Sequence, residues 1–167
     1  MPVSFAGVLP SFERTREPGA VMRVSGVPDC YVTSMRKASR RLTQLYDEAM
    51  APSGLRSTQF SILAELSEPT QGPPTMGELA EVLVLDRSGL GHSLRPLERE
   101  GLIEFEVNPD DRRSRIVVLT KAGRDRYRQA HELWRSAQER YRSATGAAEA
   151  DELRDRLQAI AHDDRLA

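Results

Sequence analysis

The 167-residue chain has a single cysteine, Cys30, so no disulfide can close within it. A lone thiol suits a reducing compartment and leaves no cysteine set at zinc-site spacing. Histidine is also scarce: His92, His131 and His162 stand well apart and form no ligand pattern. No metal and no cofactor are expected. No apolar run approaches the ~20 residues that cross a bilayer, and the start lacks a basic stretch followed by an apolar core. The expected location is the cytoplasm. An excess of one charge is missing too, since 24 basic residues face 25 acidic ones. A global basic field therefore cannot argue for nucleic acid, and such an argument must rest on local clustering. Lysine is nearly absent: only Lys37 and Lys121 accompany the arginines. Arginine suits bidentate contacts to phosphate and guanine, although a codon bias would give the same skew. Neither a Gly-x-Ser-x-Gly nor a P-loop occurs, so hydrolase chemistry has no support.

Helix breakers crowd the first 29 residues: Pro2, Pro10, Pro18 and Pro28 alternate with Gly7, Gly19 and Gly26. Their spacing predicts an irregular arm over 1–29. From Thr33 to Met50 the pattern becomes helical. Met35, Ala38, Leu42, Leu45 and Ala49 recur three and four apart, with Pro52 and Gly54 as the stop. A second helix is expected after Ser57, carrying Phe60, Ile62, Leu63 and Leu66. Thr75 with Glu78 reads as a capping box, opening a short helix with Met76, Leu79, Ala80 and Leu83. Asp86 can cap another helix, with Leu90, Leu94 and Leu97 on one face and Gly101 at its end. Pro96 inside that helix should bend it.

Residues 102–107 (LIEFEV) and 115–119 (RIVVL) read as strands around the turn NPDDRRS. Ile103, Phe105 and Val107 form the apolar side of the first strand. Thr120 then caps a long helix striped by Tyr127, Ala130, Trp134, Ala137 and Tyr141. Gly146 interrupts, and Leu153, Leu157 and Ile160 form a last stripe. The expected class is mainly α with a small β-hairpin wing, a winged helix-turn-helix between N- and C-terminal helices whose stripes need covering, by a second copy or by folding on themselves. The boundaries are 57–120 for the winged helix-turn-helix DNA-binding domain and 30–56 with 121–167 for the helical region.

In such a fold the second helix fits a major groove. Its candidate contacts are Arg87, Ser88, His92, Ser93 and Arg95. The hairpin tip lies over the neighbouring minor groove, where arginine is favoured by the negative potential. Two bland readings stand beside this one. NPDD is usually only a turn, and residues 75–123 hold more acids than bases.

The stretch GELAEVLVLDRSGLGHSLRPLEREGLIEFEVNPDDRRSRIVVLTKAGR resembles the core of the MarR family of winged-helix transcription regulators. Leu79-Ala80, Asp86, Leu94-x-x-Leu97-Glu98, Gly101-Leu102-Ile103, and Asp111-x-Arg113 before Leu119-Thr120-x-x-Gly123 carry the likeness. Upstream, Leu45-Tyr46 and Thr58-Gln59-Phe60 extend it, so that it covers about residues 30 to 145. The resemblance implies that Arg113 is the minor-groove arginine and Asp111 its orienting partner, with Arg112 and Arg115 on phosphates. It implies that the helical region, 30–56 with 121–167, is the dimerisation region, and so a homodimer on double-stranded DNA with a pseudo-palindromic operator, acting as a repressor. It also implies release by a small ligand, often aromatic or phenolic, or by oxidation of a cysteine placed like Cys30. Met35, Arg36, Tyr46 and Phe60 are the candidate pocket. The tyrosine that supports the thiol in the family's hydroperoxide sensors is replaced by Ser34. The recognition helix departs from the pattern at Gly89, Gly91 and His92. Those glycines are the one feature favouring an alternative, a helical adaptor that has lost specific DNA binding.

Overall fold

The protein is described from a computed structural model covering residues 30–69 and 72–166. The arm expected over 1–29 lies outside the described residues. Backbone contacts group 1–36 and 37–167 as separate units, and the first is described only from Cys30 onward, as the start of a helix. In chain order the elements are α1 (Tyr31–Met50), a 3-10 turn (Ala51–Ser53), α2 (Ser57–Ser67), α3 (Met76–Val82) and α4 (Arg87–Arg99). Then come β1 (Ile103–Val107), β2 (Arg115–Leu119), α5 (Lys121–Thr145), α6 (Ala147–Ala161) and a closing 3-10 turn (Asp164–Leu166).

The caps fall where the side chains can satisfy free backbone donors. Thr75 Oγ1 accepts from the Glu78 N–H at 3.3 Å, and the Glu78 carboxylate accepts from the Thr75 N–H at 2.7 Å. Asp86 Oδ1 accepts from the N–H groups of Ser88 and Gly89 at 3.0 and 2.9 Å. At α2 the cap comes from elsewhere: Gln59 accepts from the Arg56 N–H, and Asp47 of α1 accepts from the Ser57 N–H. Thr120 does two jobs. Its hydroxyl accepts from the Gly123 N–H at 3.0 Å and donates to the Gly101 carbonyl at 2.7 Å. Gly123 is fixed by space, since a Cβ there would collide with the Leu102 carbonyl oxygen and the Leu119 side chain.

The turn between α3 and α4 closes without glycine. Val84 takes φ 51°, and the Leu85 N–H reaches back to the Ala80 carbonyl at 2.8 Å. A β-branched residue in this left-handed region costs of order 1–3 kcal/mol, a cost the flanking packing must offset. α4 runs through Pro96 to Arg99 without ending. The hairpin is antiparallel, with Ile103 opposite Leu119, Phe105 opposite Val117 and Val107 opposite Arg115. Val117 gains a further bond from its N–H to the Pro74 carbonyl. Val107, expected on the apolar side, is exposed because the hairpin extends past the core at that point.

Beneath the hairpin lies the core: Met50, Ile62, Leu63, Leu79, Leu90, Leu94, Leu97, Ile103 and Val117 are fully buried. Each such side chain contributes roughly 1.5–3 kcal/mol when removed from water. α2 is joined to α5 by aromatic stacking, with Phe60 5.4 Å from Tyr127 and 5.8 Å from Trp134 between ring centres. α6 behaves differently. Only Ala150 is buried, while Leu153, Leu157 and Ile160 remain 40, 39 and 45% exposed.

Candidate nucleic-acid interface

The three buried leucines of α4 turn one face inward, so the opposite face is presented outward. His92 and Arg95 are exposed on it, and Arg87 is exposed at the start of the helix, toward its edge, with its guanidinium beside Gly77 of α3. Among the described residues no carboxylate lies within ion-pair distance of Arg87 or Arg95. The two serines are engaged locally. Ser88 Oγ donates to Asp86 Oδ1 at 2.5 Å. Ser93 is half-buried and donates to the Gly89 carbonyl at 3.2 Å. Both hydroxyls retain acceptor capacity, but Ser93 lies toward the core side of the helix. These hydrogen bonds from Ser88 and Gly89 also hold the Asp86 carboxyl below its ordinary pKa.

The hairpin loop is held by its own backbone and short polar side chains. Asn108 Nδ2 donates to Ser114 Oγ at 3.0 Å, and Asn108 Oδ1 accepts from the Asp110 N–H at 2.9 Å. Ser114 returns the chain by donating its N–H to the Asp111 carbonyl at 2.9 Å. Arg112 and Arg113 are thus the two central residues of a tight turn, and both are exposed. Asp111 Oδ1 accepts from the Arg113 backbone N–H at 3.0 Å. Here the observed contact differs from the expected one. Asp111 fixes the peptide of Arg113, not its guanidinium, because its side chain closes an Asx turn two residues long. Among the described residues none of Arg112, Arg113 and Arg115 is ion-paired.

On another flank of the loop the charge reverses. Glu65, Glu68, Glu78, Glu81 and Asp110 line a recess of about 510 Å³ and, among the described residues, no basic side chain joins them. Phosphates are repelled there, whereas the exposed arginines of α4 and of the turn attract anions, as do the exposed Arg36, Lys37, Arg40 and Arg41 on α1. Among the described residues no group of three or more His, Cys, Asp or Glu is disposed to hold a metal ion.

The sensor candidates separate. Cys30 is the N-cap of α1, its carbonyl accepting from the Ser34 N–H at 3.0 Å, and it is partly exposed. Its thiol pKa is lowered, first by the Thr33 hydroxyl and then by the N–H groups of Thr33 and Val32. The Thr33 hydroxyl is the first cause of that lowering, and sequence reading did not single it out because hydroxyl donors are too common to signal. Met35 and Arg36 are exposed on the first turns of α1. Tyr46 lines an open groove of about 1260 Å³ with Leu42, Trp134, Tyr141, Leu153 and Leu157. Its hydroxyl donates to Gln138 Oε1 at 2.8 Å, and burial raises its pKa. Phe60 does not join it. That ring is buried in the core because α5 supplies two aromatic partners for it.

Comparison with known proteins agrees with this geometry. A family model described as "MarR family" matches residues 55–114. BadR of Rhodopseudomonas palustris, described as a transcriptional activatory protein, is 36% identical over 77 residues, which are 46% of this chain and 44% of that protein. The chain therefore spans less than half the length of that relative. The multiple antibiotic resistance protein MarR of Salmonella typhimurium is 30% identical over 115 residues, 69% of this chain and 77% of that one. Among solved structures, the M. tuberculosis transcriptional regulator MosR in complex with DNA superposes with a TM-score of 0.73. It is 32% identical, with 83% of this chain and 98% of that one covered. Membership does not rest on the wing alone, since the matched lengths take in helices on both sides of it: this chain belongs to the MarR family of winged-helix transcriptional regulators.

Proposed function

We propose that the protein is a homodimeric, sequence-specific DNA-binding repressor that leaves a pseudo-palindromic operator when a small ligand binds or Cys30 is oxidised. The observation that carries the DNA reading is the pair of arginine sets free of carboxylate partners, on α4 and on the wing turn, among the described residues. α4 reads base edges in the major groove, Arg113 enters the adjacent minor groove, and Arg112 and Arg115 contact phosphates. The dimer reading is supported by the exposed Leu153, Leu157 and Ile160 on α6, a stripe that a second copy would cover. Two-fold symmetry then sets half-sites about one helical turn apart. Cytoplasmic residence fits both the DNA target and the single thiol.

Release is a population shift: the effector binds better to the arrangement in which the two winged helices no longer fit the groove spacing. A ligand would occupy the Tyr46 and Trp134 end of the groove, at the margin of the Leu153 and Leu157 surface that the second copy covers. In the oxidative route the Cys30 thiolate attacks a hydroperoxide oxygen. An S–O bond forms, the O–O bond breaks, and sulfenic acid and an alkoxide result, the alkoxide taking a proton from water to leave as the alcohol. The partly exposed thiol with its lowered pKa supports that route.

The test is selection of duplexes from a randomised library by the full chain, followed by gel-shift titration with and without an organic hydroperoxide. The expected result is a two-fold symmetric consensus with half-sites one turn apart. Release by peroxide in wild type and its loss in Cys30→Ser support the oxidative route. Release in neither leaves the ligand route. If no duplex is enriched, the adaptor reading replaces this one.

A further inference from the structure

Two glycines interrupt α4, and only one of them has a close neighbour. A Cβ on Gly89 would sit 3.2 Å from Asp86 Oδ2, a tight contact to which the carboxylate that caps the helix must yield by a few tenths of an ångström. A Cβ on Gly91 would meet nothing within 4 Å among the described residues. Its backbone is ordinary helix, with no positive φ that would call for glycine. Glycine is nonetheless the poorest helix former after proline. The fold thus bears a cost at 91 that alanine would remove, and nothing in the described chain requires it.

The surroundings say what could require it. Arg87, Gly91 and Arg95 follow at intervals of four, so they lie in one row along the edge of the exposed face. The outer two are the exposed arginines that lack ion-pair partners among the described residues. Along the axis they are ~12 Å apart, comparable to the ≈12 Å width of the major groove. Between them is bare backbone.

We propose that Gly91 is a specificity-determining position of close approach: with Arg87 and Arg95 on the groove walls, the backbone at residue 91 comes against the base edges, where a Cβ would collide. This rests on the DNA-binding reading above and adds to it the residue that sets how deep α4 sits. It turns the departure at 91 from a defect in sequence reading into a steric part of it. Small residues let backbones approach closely for the same reason that they pack poorly alone.

The test is Gly91→Ala in the full chain, with Gly89→Ala beside it, measured by thermal melting and by titration of the duplex selected by wild type. Gly91→Ala should melt about 2–4 °C higher yet bind about tenfold or more weakly. Its salt dependence should be unchanged, because the impaired fit is steric and every phosphate contact stays in place. Gly89→Ala should show no gain in melting temperature. Selection repeated with Gly91→Ala should alter the consensus at the base steps between the two arginine contacts. If Gly91→Ala binds as tightly as wild type and keeps the same consensus, the assignment is overturned while DNA binding stands. If wild type enriches no duplex, both fall together.

Discussion

The wing turn and the exposed face of α4 present the same chemistry, arginines without ion-pair partners among the described residues, by opposite means. At the turn, geometry is fixed from within. Asn108 bonds Ser114, Ser114 bonds the Asp111 carbonyl, and Asp111 holds the Arg113 peptide, which leaves the guanidiniums of Arg112 and Arg113 exposed. On α4 the face is shaped as much by what is missing. Ser88 and Ser93 are drawn into local bonds, and Gly91 offers no side chain at all. A preorganised loop can deliver one guanidinium to a narrow groove with little further ordering cost. A helix with a gap can do something else, letting its backbone approach.

The largest expected effect falls on the wing. Arg113→Ala should weaken binding of the selected duplex by about 10–100-fold, since a groove-reading arginine is worth of order 1–3 kcal/mol. Arg112→Ala should weaken all duplexes alike and make the dependence of log affinity on log salt shallower by about one, the slope that a single phosphate neutralisation supplies. If Arg113→Ala proves to be the variant with only a salt-slope effect, the division of labour between the two turn residues is wrong.

Asp111 tests how the turn is held. Because its Oδ1 accepts from the Arg113 peptide, an amide oxygen can replace it. Asp111→Asn should bind DNA within about twofold of wild type, while Asp111→Ala should bind several-fold more weakly as the turn loosens. If Asn is as damaging as Ala, the negative charge acts on the Arg113 guanidinium after all, as the family resemblance implied.

Much of this frame was legible from residues alone, for identifiable reasons. Helix ends were marked by side chains that cap locally, Thr75 with Glu78, Asp86, and Thr120. The hairpin was marked by alternation broken at a turn of Asn, Pro and Asp. What escaped reading is long-range or conformational. The turn before α4 uses Val84 at φ 51° where local chemistry would favour glycine, so no residue type announced it. Phe60 looked like a pocket residue because its partners Tyr127 and Trp134 lie far along the chain. Thr33 became a thiol partner only through the geometry of a helix start. At the wing turn, Arg113 stands out by its motif, but the peptide N–H that Asp111 accepts from could not be read from it. Gly91 was visible as an anomaly, and only the contrast with Gly89 gave it meaning.

The smallest expected effect separates the two regions by pH. Asp86 orders the start of α4, and its folded pKa is depressed by hydrogen bonds from Ser88 and Gly89. A depressed carboxyl contributes stability above its unfolded pKa and loses it as pH falls through the folded value. Acidification from about pH 5 to about pH 3 should therefore lower the melting temperature of wild type more than that of Asp86→Asn. In that variant a neutral oxygen caps at every pH. Some acid sensitivity should survive in Asp86→Asn, because Glu78 is held low by the backbone N–H and hydroxyl of Thr75 and titrates in the same direction. Parallel melting curves for the two proteins across that range would mean that the cap works through its oxygen's position alone. The start of α4 would then be held, as expected of the wing turn, by hydrogen-bond geometry without any contribution from charge.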